Sequence, residues 1–329
     1  MNILVYSVSA DSGGALSVLM DFYRKFKADK QNHYYFVVST PHLEECDNIT
    51  VLRFPEIKKG WGHRLYFEYI KAPQLVRKYR VDKVFSTTNT IIPRTTVKQV
   101  LYLHQSLPFI KYRFKFWENR QFWIYQNIIS KYIIYATHRA NQIIVQTNWM
   151  KEAVMSVANI DGNKIIVKTP IIESSMISYY HKSPHAAIFF YPASAYTYKN
   201  HLVIIKACQE LQYEGINNYS VIFTLNGDEN SYSQELKKMV IKYKLPVCFA
   251  GMLPRAKVLS LYSSTILLFP SFVETFGLPL LEAKTANCPI IAADTIFGQE
   301  ILLNYNDAHF FRSNDYIGLK NIMKFFIFS

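Results

Sequence analysis

Two glutamates eight positions apart, Glu274 and Glu282, stand in the run Pro270-Ser-Phe-Val-Glu274-Thr-Phe276-Gly277-Leu278-Pro279-Leu-Leu-Glu282-Ala. Gly277 suits a tight turn, and Pro279 suits the first turn of a helix, where a missing N–H costs nothing. Such a turn leaves backbone N–H groups around 277–280 outside the helical ladder, where they can bind an anion. Glu282 lies one turn further in, placed to hold a vicinal diol such as a ribose. Carboxylate, anion-binding turn and second carboxylate together fit a ligand made of sugar, diphosphate and nucleoside.

Three further motifs carry matching chemistry. Ser9-Ala-Asp-Ser-Gly13-Gly14-Ala follows the first apolar run, and two glycines let backbone approach a phosphate closely at a helix N-terminus. Lys199, in Ser194-Ala-Tyr-Thr-Tyr-Lys199-Asn200-His201, sits near a helix start and can reach a diphosphate. His104, in Leu103-His104-Gln105-Ser106, can hydrogen-bond a sugar hydroxyl or steady developing charge. Each has an ordinary alternative when read alone: a glycine pair that only makes a turn, a solvated lysine, a structural histidine.

The elements that must position these residues alternate along the chain. Strand-like runs fall at 2–8, 34–40, 49–54, 83–87, 99–104, 142–147 and 164–169, with helical stretches near 14–27, 61–80, 117–138 and 148–157. A second series has strands at 187–193, 219–225, 247–250, 265–270, 289–294 and 308–311, with helices near 199–214, 231–243, 254–263, 279–287 and 298–303. Most strand runs are almost continuously apolar, as in a parallel sheet buried on both faces. The pattern predicts an α/β fold of two doubly wound, Rossmann-like domains, 1–170 and 186–329, joined by a polar linker at 171–185. Ligands bind beyond the carboxyl ends of such strands, so the expected site is a cleft between the domains.

Composition agrees with two sizeable cores: 329 residues, half of them apolar and 16% aromatic. The four cysteines (Cys46, Cys208, Cys248, Cys288) are dispersed, without metal spacing, which fits reduced thiols in a cytoplasmic compartment. The N-terminus enters a strand directly, so no signal peptide is expected, and no apolar run is long enough to span a bilayer. Residues 1–185 carry 25 Lys/Arg against 13 Asp/Glu, while residues 186–329 carry 12 against 11. The basic excess therefore belongs to the first domain, which points to an anionic partner there. No nucleic-acid recognition motif accompanies it.

Taken in order, Gly13-Gly14, Lys199-Asn200 and the 270–283 segment with its E-x7-E pair resemble glycosyltransferase family 4, retaining nucleotide-sugar transferases of GT-B fold. Asn226-Gly227-Asp228, Phe249-Ala-Gly251 and Gly298-Gln-Glu300 add weaker matches, and the resemblance covers roughly residues 1–312. It implies that Glu282 holds the ribose hydroxyls. Glu274 and the backbone of Phe276, Gly277 and Leu278 would contact the donor sugar and distal phosphate. Gly13-Gly14 and Lys199 would meet the diphosphate, His104 the transferred sugar, and Gly251 and Met252 the base. Retention of anomeric configuration follows from the resemblance alone. No cofactor is implied, the nucleotide sugar being a substrate. No Asp-x-Asp is placed to hold a divalent cation, so activity without metal is expected.

Two departures accompany the match. Positions where the family often has an arginine are Ser194 and Tyr198 here, leaving Arg255 as a substitute phosphate-binding cation. Relatives also continue with helices after the stretch corresponding to Phe311, where this chain has only 314–329, so the second domain is expected to be truncated. The acceptor is argued from Ile110-Lys-Tyr-Arg-Phe-Lys-Phe-Trp117-Glu-Asn-Arg120-Gln-Phe-Trp-Ile-Tyr-Gln-Asn-Ile-Ile-Ser-Lys131-Tyr, which mixes cations with large aromatics. This suits an anionic membrane surface and a polyprenol-linked glycan acceptor, hence a peripheral position on the inner face; a core helix with a solvated basic face is the alternative. The expected function is sugar transfer in capsule, O-antigen or exopolysaccharide assembly. The alternatives are an inactive GT-B nucleotide-binding or scaffold subunit, or a GT-B epimerase.

Overall fold

The computed structural model describes residues 1–11, 13–117, 119–170, 172, 177–182 and 186–329. Ser12 of the Gly13-Gly14 motif, Glu118 of the aromatic segment and most of the 171–185 linker lie outside the described residues. The chain divides into two compact units, Met1–Thr169 and Pro170–Ser329.

The first unit runs β1 (Asn2–Ser7), α1 (Gly13–Ala28), β2 (His33–Val38), β3 (Ile49–Arg53), α2 (Trp61–Tyr66), α3 (Ala72–Lys78), β4 (Lys83–Ser86), β5 (Lys98–Tyr102), α4 (Arg120–Ile124), α5 (Ser130–Arg139), β6 (Gln142–Val145), α6 (Asn148–Ala158) and β7 (Ile165–Val167). Its seven strands are parallel, in the order β3-β2-β1-β4-β5-β6-β7. Leu4 aligns with Tyr35 on one side and Val84 on the other. Strand alternation sorts the core. Ile3 and Val5 pack with Leu19 and Tyr23 of α1, whereas Leu4 and Tyr6 pack with Phe67, Ala72 and Val76 on the opposite face. Leu101, Leu103 and Ile143 meet Ile133 of α5 and Met150 of α6.

The helices expected at 61–80 and 117–138 are present, each with one turn of π-helix inside it. Phe67–Lys71 joins α2 to α3, and Tyr125–Ile129 joins α4 to α5. These widened turns have no period that a sequence pattern reveals, and they recur at functional places in proteins.

The second unit runs β8 (Ala187–Tyr191), α7 (His201–Tyr213), β9 (Tyr219–Phe223), α8 (Ser231–Lys242), β10 (Val247–Phe249), α9 (Arg255–Leu261), β11 (Ile266–Phe269), α10 (Leu278–Thr285), β12 (Ile290–Ala293), α11 (Ile296–Ile301), β13 (Ala308–Phe311) and α12 (Tyr316–Phe328). Its six parallel strands follow the order β10-β9-β8-β11-β12-β13. Strands β11 and β12 are buried along their whole length. Chain order reverses between β8 and β11, which pair directly through Ile266 with Phe189 and Leu267 with Phe190. Helix α12 was absent from the sequence expectation: its apolar residues run almost around the cylinder and give no one-sided stripe. Asp315 caps it, accepting the Gly318 N–H at 2.8 Å, while Lys320 and Lys324 at 2.5 and 2.6 Å both reach Glu214 just beyond α7.

Candidate functional site

In the second unit, the loops after β8 and β11 leave adjacent strands at the place where the winding reverses, so they are held side by side. The first loop ends in a turn of 3-10 helix, Thr197–Lys199, followed by Asn200 in the left-handed conformation at φ 59°. Two contacts bind it to the second, and a third binds it to the segment after β13. Tyr198 O accepts the Phe272 N–H at 3.2 Å, and Asn200 Nδ2 donates to Pro270 O at 3.5 Å and to Ser313 O at 2.7 Å. Tyr191, fully buried at the end of β8, donates its hydroxyl to Lys199 O at 2.7 Å.

This scaffold brings Lys199 and Glu274 together. The ammonium forms an ion pair with Glu274 Oε1, to which Ser271 Oγ also donates at 2.8 Å. Both charged side chains are largely buried, which strengthens their attraction but leaves each dependent on the other. Lys199 Nζ also stands 5.5 Å above the Tyr198 ring, and Tyr196 and Tyr198 stack at 5.5 Å. Burial, followed by the Glu274 charge, holds the Tyr198 hydroxyl well above the usual phenol range, so it stays protonated as a donor.

Gly277 caps α10 at φ 88° and ψ 59°, with Pro279 in the first turn as expected. A Cβ there would lie 3.3 Å from Leu280 Cδ1 and 3.4 Å from Phe269 Cζ, so glycine meets both a backbone and a space requirement. The anion-binding expectation is narrower than the sequence suggested: Leu280 N–H is used by Gly277 O at 2.9 Å, and Pro279 has none. The N–H groups of Gly277 and Leu278 remain at the mouth of the helix. Phe276 is buried.

Glu282 is almost fully buried, one turn into α10. Tyr262 donates its hydroxyl to Oε2 at 2.9 Å, and Arg255 Nη1 lies 2.7 Å from Oε1, off the line of its N–H bonds. Oε1 therefore has a close charge but no aligned hydrogen bond among the described residues. Burial raises the carboxyl above its usual range, opposed by Arg255 and Tyr262. Arg255, expected as a substitute phosphate cation, is held by this carboxylate in the present structure. It starts α9, on the loop from β10 that also carries Gly251 and Met252. Gly251 has φ 71°, and a Cβ there would come within 2.5 Å of Asn226 Oδ1, while Met252 is 91% exposed.

In the first unit, β5 ends at Tyr102, so His104 stands on the loop beyond the sheet's carboxyl edge. Its N–H donates to Asn89 Oδ1 at 2.8 Å, and its ring Nδ1 is buried without a partner among the described residues. Burial pushes the imidazole down to about 4, against a hydrogen bond with the Tyr102 backbone. Gly13 opens α1, and the space where a Gly14 side chain would stand is open. Lys199, Glu274, Gly277, Gly251 and Met252 thus stand on loops after strands of one sheet, with Leu278, Glu282 and Arg255 in the first turns of the helices that follow, whereas Gly13, Gly14 and His104 follow strands of the other. Ser271 and Tyr262, which hold the two carboxylates, were not singled out by sequence. Ser271 adjoins the motif and was visible, but Tyr262 lies twenty residues before Glu282 with no spacing signal. Among the described residues no three His, Cys, Asp or Glu side chains are grouped to hold a metal ion.

Residues 180–327, which lie in the second unit, match the family model Glycosyl transferases group 1. The O-antigen chain mannosyltransferase RfbU of Salmonella typhimurium is 24% identical over 274 residues, covering 82% of this chain and 71% of its own. Among solved structures, Anabaena HepE in complex with UDP and glucose superposes with a TM-score of 0.73 at 17% identity, covering 99% of this chain and 89% of the other. WaaG, a glycosyltransferase involved in lipopolysaccharide biosynthesis, gives 0.73 at 12% identity, with coverage of 100% and 91%. The architecture is the GT-B fold, two Rossmann-like parallel-sheet domains, as the sequence pattern predicts.

Proposed function

We propose that the chain is a retaining glycosyltransferase that moves a sugar from a nucleoside-diphosphate donor to a lipid-linked glycan, in the assembly of a bacterial surface polysaccharide. The observation that carries the proposal is the Lys199–Glu274 pair on the two loops where strand order reverses, with buried Glu282 one turn into the helix that follows the second of them. The likeness to an O-antigen mannosyltransferase supports the polysaccharide class, and HepE was crystallised with UDP and glucose.

In this reading the bond between the anomeric carbon and the distal phosphate oxygen breaks, and an acceptor oxygen bonds to that carbon on the same face. The acceptor proton passes to an oxygen of the departing diphosphate. Negative charge gathers on phosphate during the step, where the Lys199 ammonium and the Gly277 and Leu278 N–H groups stabilise it without a metal. The diphosphate displaces Glu274 from Lys199, and the released carboxylate turns to the sugar hydroxyls. Glu282, positioned by Tyr262 and Arg255, accepts the ribose diol. His104, neutral at pH 7, offers its unpartnered ring nitrogen to a hydroxyl of the transferred sugar.

A thermal-shift panel of UDP-, GDP-, ADP- and TDP-sugars on wild type and Glu282→Ala tests the donor half. One donor class should raise the midpoint of wild type and fail on the variant; stabilisation of both proteins alike would remove Glu282 from the site. Turnover of that donor in EDTA should equal turnover without it, and a loss would overturn the metal-free mechanism. Binding without transfer or donor hydrolysis would favour an inactive nucleotide-binding subunit.

A further inference from the structure

Helix α2 presents an unusual outer face. Trp61 is 62% exposed, and Leu65, Tyr66 and Ile70 are exposed beside it. The π-turn Phe67–Lys71 inserts one residue into the helical repeat, so Ile70 follows Leu65 by a single widened turn. Inward, the same segment is anchored: Phe67 packs in the core, and Glu68 is buried against Tyr6 at 3.3 Å, Arg64 at 3.0 Å and Tyr132 at 3.2 Å. The last contact ties α2 to α5, whose outer side shows Ile128 just before it, Tyr135, and the cations Lys131 and Arg139. The loop before α4 adds exposed Tyr112 and Phe116, and Trp117 at 82% exposure.

Cations outnumber carboxylates around these apolar groups, where Glu56 and Glu118 are the acidic neighbours in sequence. Lys58, Lys59 and Lys71 flank α2, Lys111, Arg113, Lys115 and Arg120 flank Trp117, and the sole carboxylate from 57 to 81 is the buried Glu68. Such a cluster of exposed aromatics is costly in water, and cations at its rim suit an anionic interface. Lys58 also pairs with Asp11 at 2.6 Å, which fixes this face next to the loop that precedes α1.

We propose that the outer face of α2, with the 112–117 loop and the outer side of α5, docks flat on an anionic lipid bilayer, with Trp61, Leu65 and Ile70 entering the acyl boundary. No helix among the described residues is long and apolar enough to cross a membrane, and docking of this kind needs none. The sequence placed membrane contact in 110–132 alone; the fold adds α2 as the apolar half of the surface. A lipid-linked acceptor would then arrive beside the carboxyl edge of the first sheet. The inference deepens the proposed function by naming its membrane surface, yet its test needs neither donor nor acceptor.

The experiment is co-sedimentation of the full chain with vesicles of equal phosphatidylglycerol and phosphatidylcholine, with tryptophan emission read in parallel. Wild type should bind, its emission should shift to the blue, and Trp61→Phe should remove part of that shift. Trp61→Ser/Leu65→Ser/Ile70→Ser should lower the partition constant by about tenfold or more, from the loss of buried apolar area. An unchanged thermal midpoint and nucleotide-induced shift would show that this variant is folded. Binding equal to wild type by the triple variant, or equal binding to pure phosphatidylcholine, would overturn the proposal. So would a concentration-dependent blue shift without vesicles, which would assign the face to a second copy of this chain. Failure of nucleotide binding with vesicle binding intact would count against the glycosyltransferase reading alone.

Discussion

At the scale of single residues, the candidate site is a set of charges already met by charges of the chain itself. Glu274 occupies Lys199 where a diphosphate would bind, and Arg255 attends Glu282. Lys199→Ala should therefore act twice. It removes the cation proposed to stabilise the departing diphosphate, which should lower kcat by about a hundredfold or more, and it strands a largely buried carboxylate. Adding Glu274→Gln should recover thermal stability but not kcat; recovery of both would make the pair structural only. His201 gives a prediction about pH. It is fully buried among Tyr191, Phe223 and Tyr232, with no aligned hydrogen bond to either ring nitrogen among the described residues. Burial, helped by Lys199, pushes it from 6.5 down to about 3. The unfolded chain takes up the proton first, so stability is fully present above about 6.5 and falls with pH toward about 3, by roughly 1 kcal/mol per unit. His201→Phe should flatten that part of the stability–pH curve relative to wild type in urea titrations. A parallel curve would mean that His201 titrates alike in the folded and the unfolded chain. The residues most legible in sequence were those set by spacing along one loop–helix segment, Glu274 and Glu282, whereas Tyr262 was hidden because a contact across twenty residues depends on how α9 and α10 pack.

At the scale of elements, positions are fixed by turns more than by helix propensity. Gly277 makes the change from β11 to α10 within a few residues, and its left-handed conformation aims the first N–H groups of α10 outward. Gly277→Ala should cost about 1–2 kcal/mol from backbone strain alone, with Leu280 and Phe269 shifting to admit the methyl group. Nucleotide affinity should fall more than stability, because the shifted backbone carries the anion-binding N–H groups. A thermal midpoint equal to wild type with unchanged nucleotide binding would contradict this account of the turn. Parallel strands were readable because burial on both faces writes continuous apolar runs, as in β11 and β12. The π-turns were not readable: they insert a residue without changing composition, and only the partners of Glu68 show what the insertion achieves. Helix α12 escaped for the opposite reason, since a segment apolar on most sides has no phase to detect.

At the scale of the whole molecule, the two units carry different charge. Residues 1–185 hold a net of +12 and residues 186–329 a net of +1. Long-range attraction to an anionic surface should therefore act on the first unit, while the nucleotide proposed for the second would be held through short contacts to largely buried side chains such as Lys199 and Glu282. The two dependences can be separated with salt. Raising ionic strength from about 0.05 to about 0.3 M shortens the screening length by about two- to threefold, which weakens the sum of many exposed lysine contacts, each contributing about 1 kcal/mol near an anionic leaflet. Transfer to an acceptor carried in phosphatidylglycerol vesicles should fall by about tenfold or more over that range. The nucleotide-induced thermal shift should change little, because Lys199 and Glu282 are shielded from the bulk electrolyte. Equal salt sensitivity of both measurements would place the electrostatic steering at the nucleotide site and leave the basic excess of the first unit without a role in acceptor delivery.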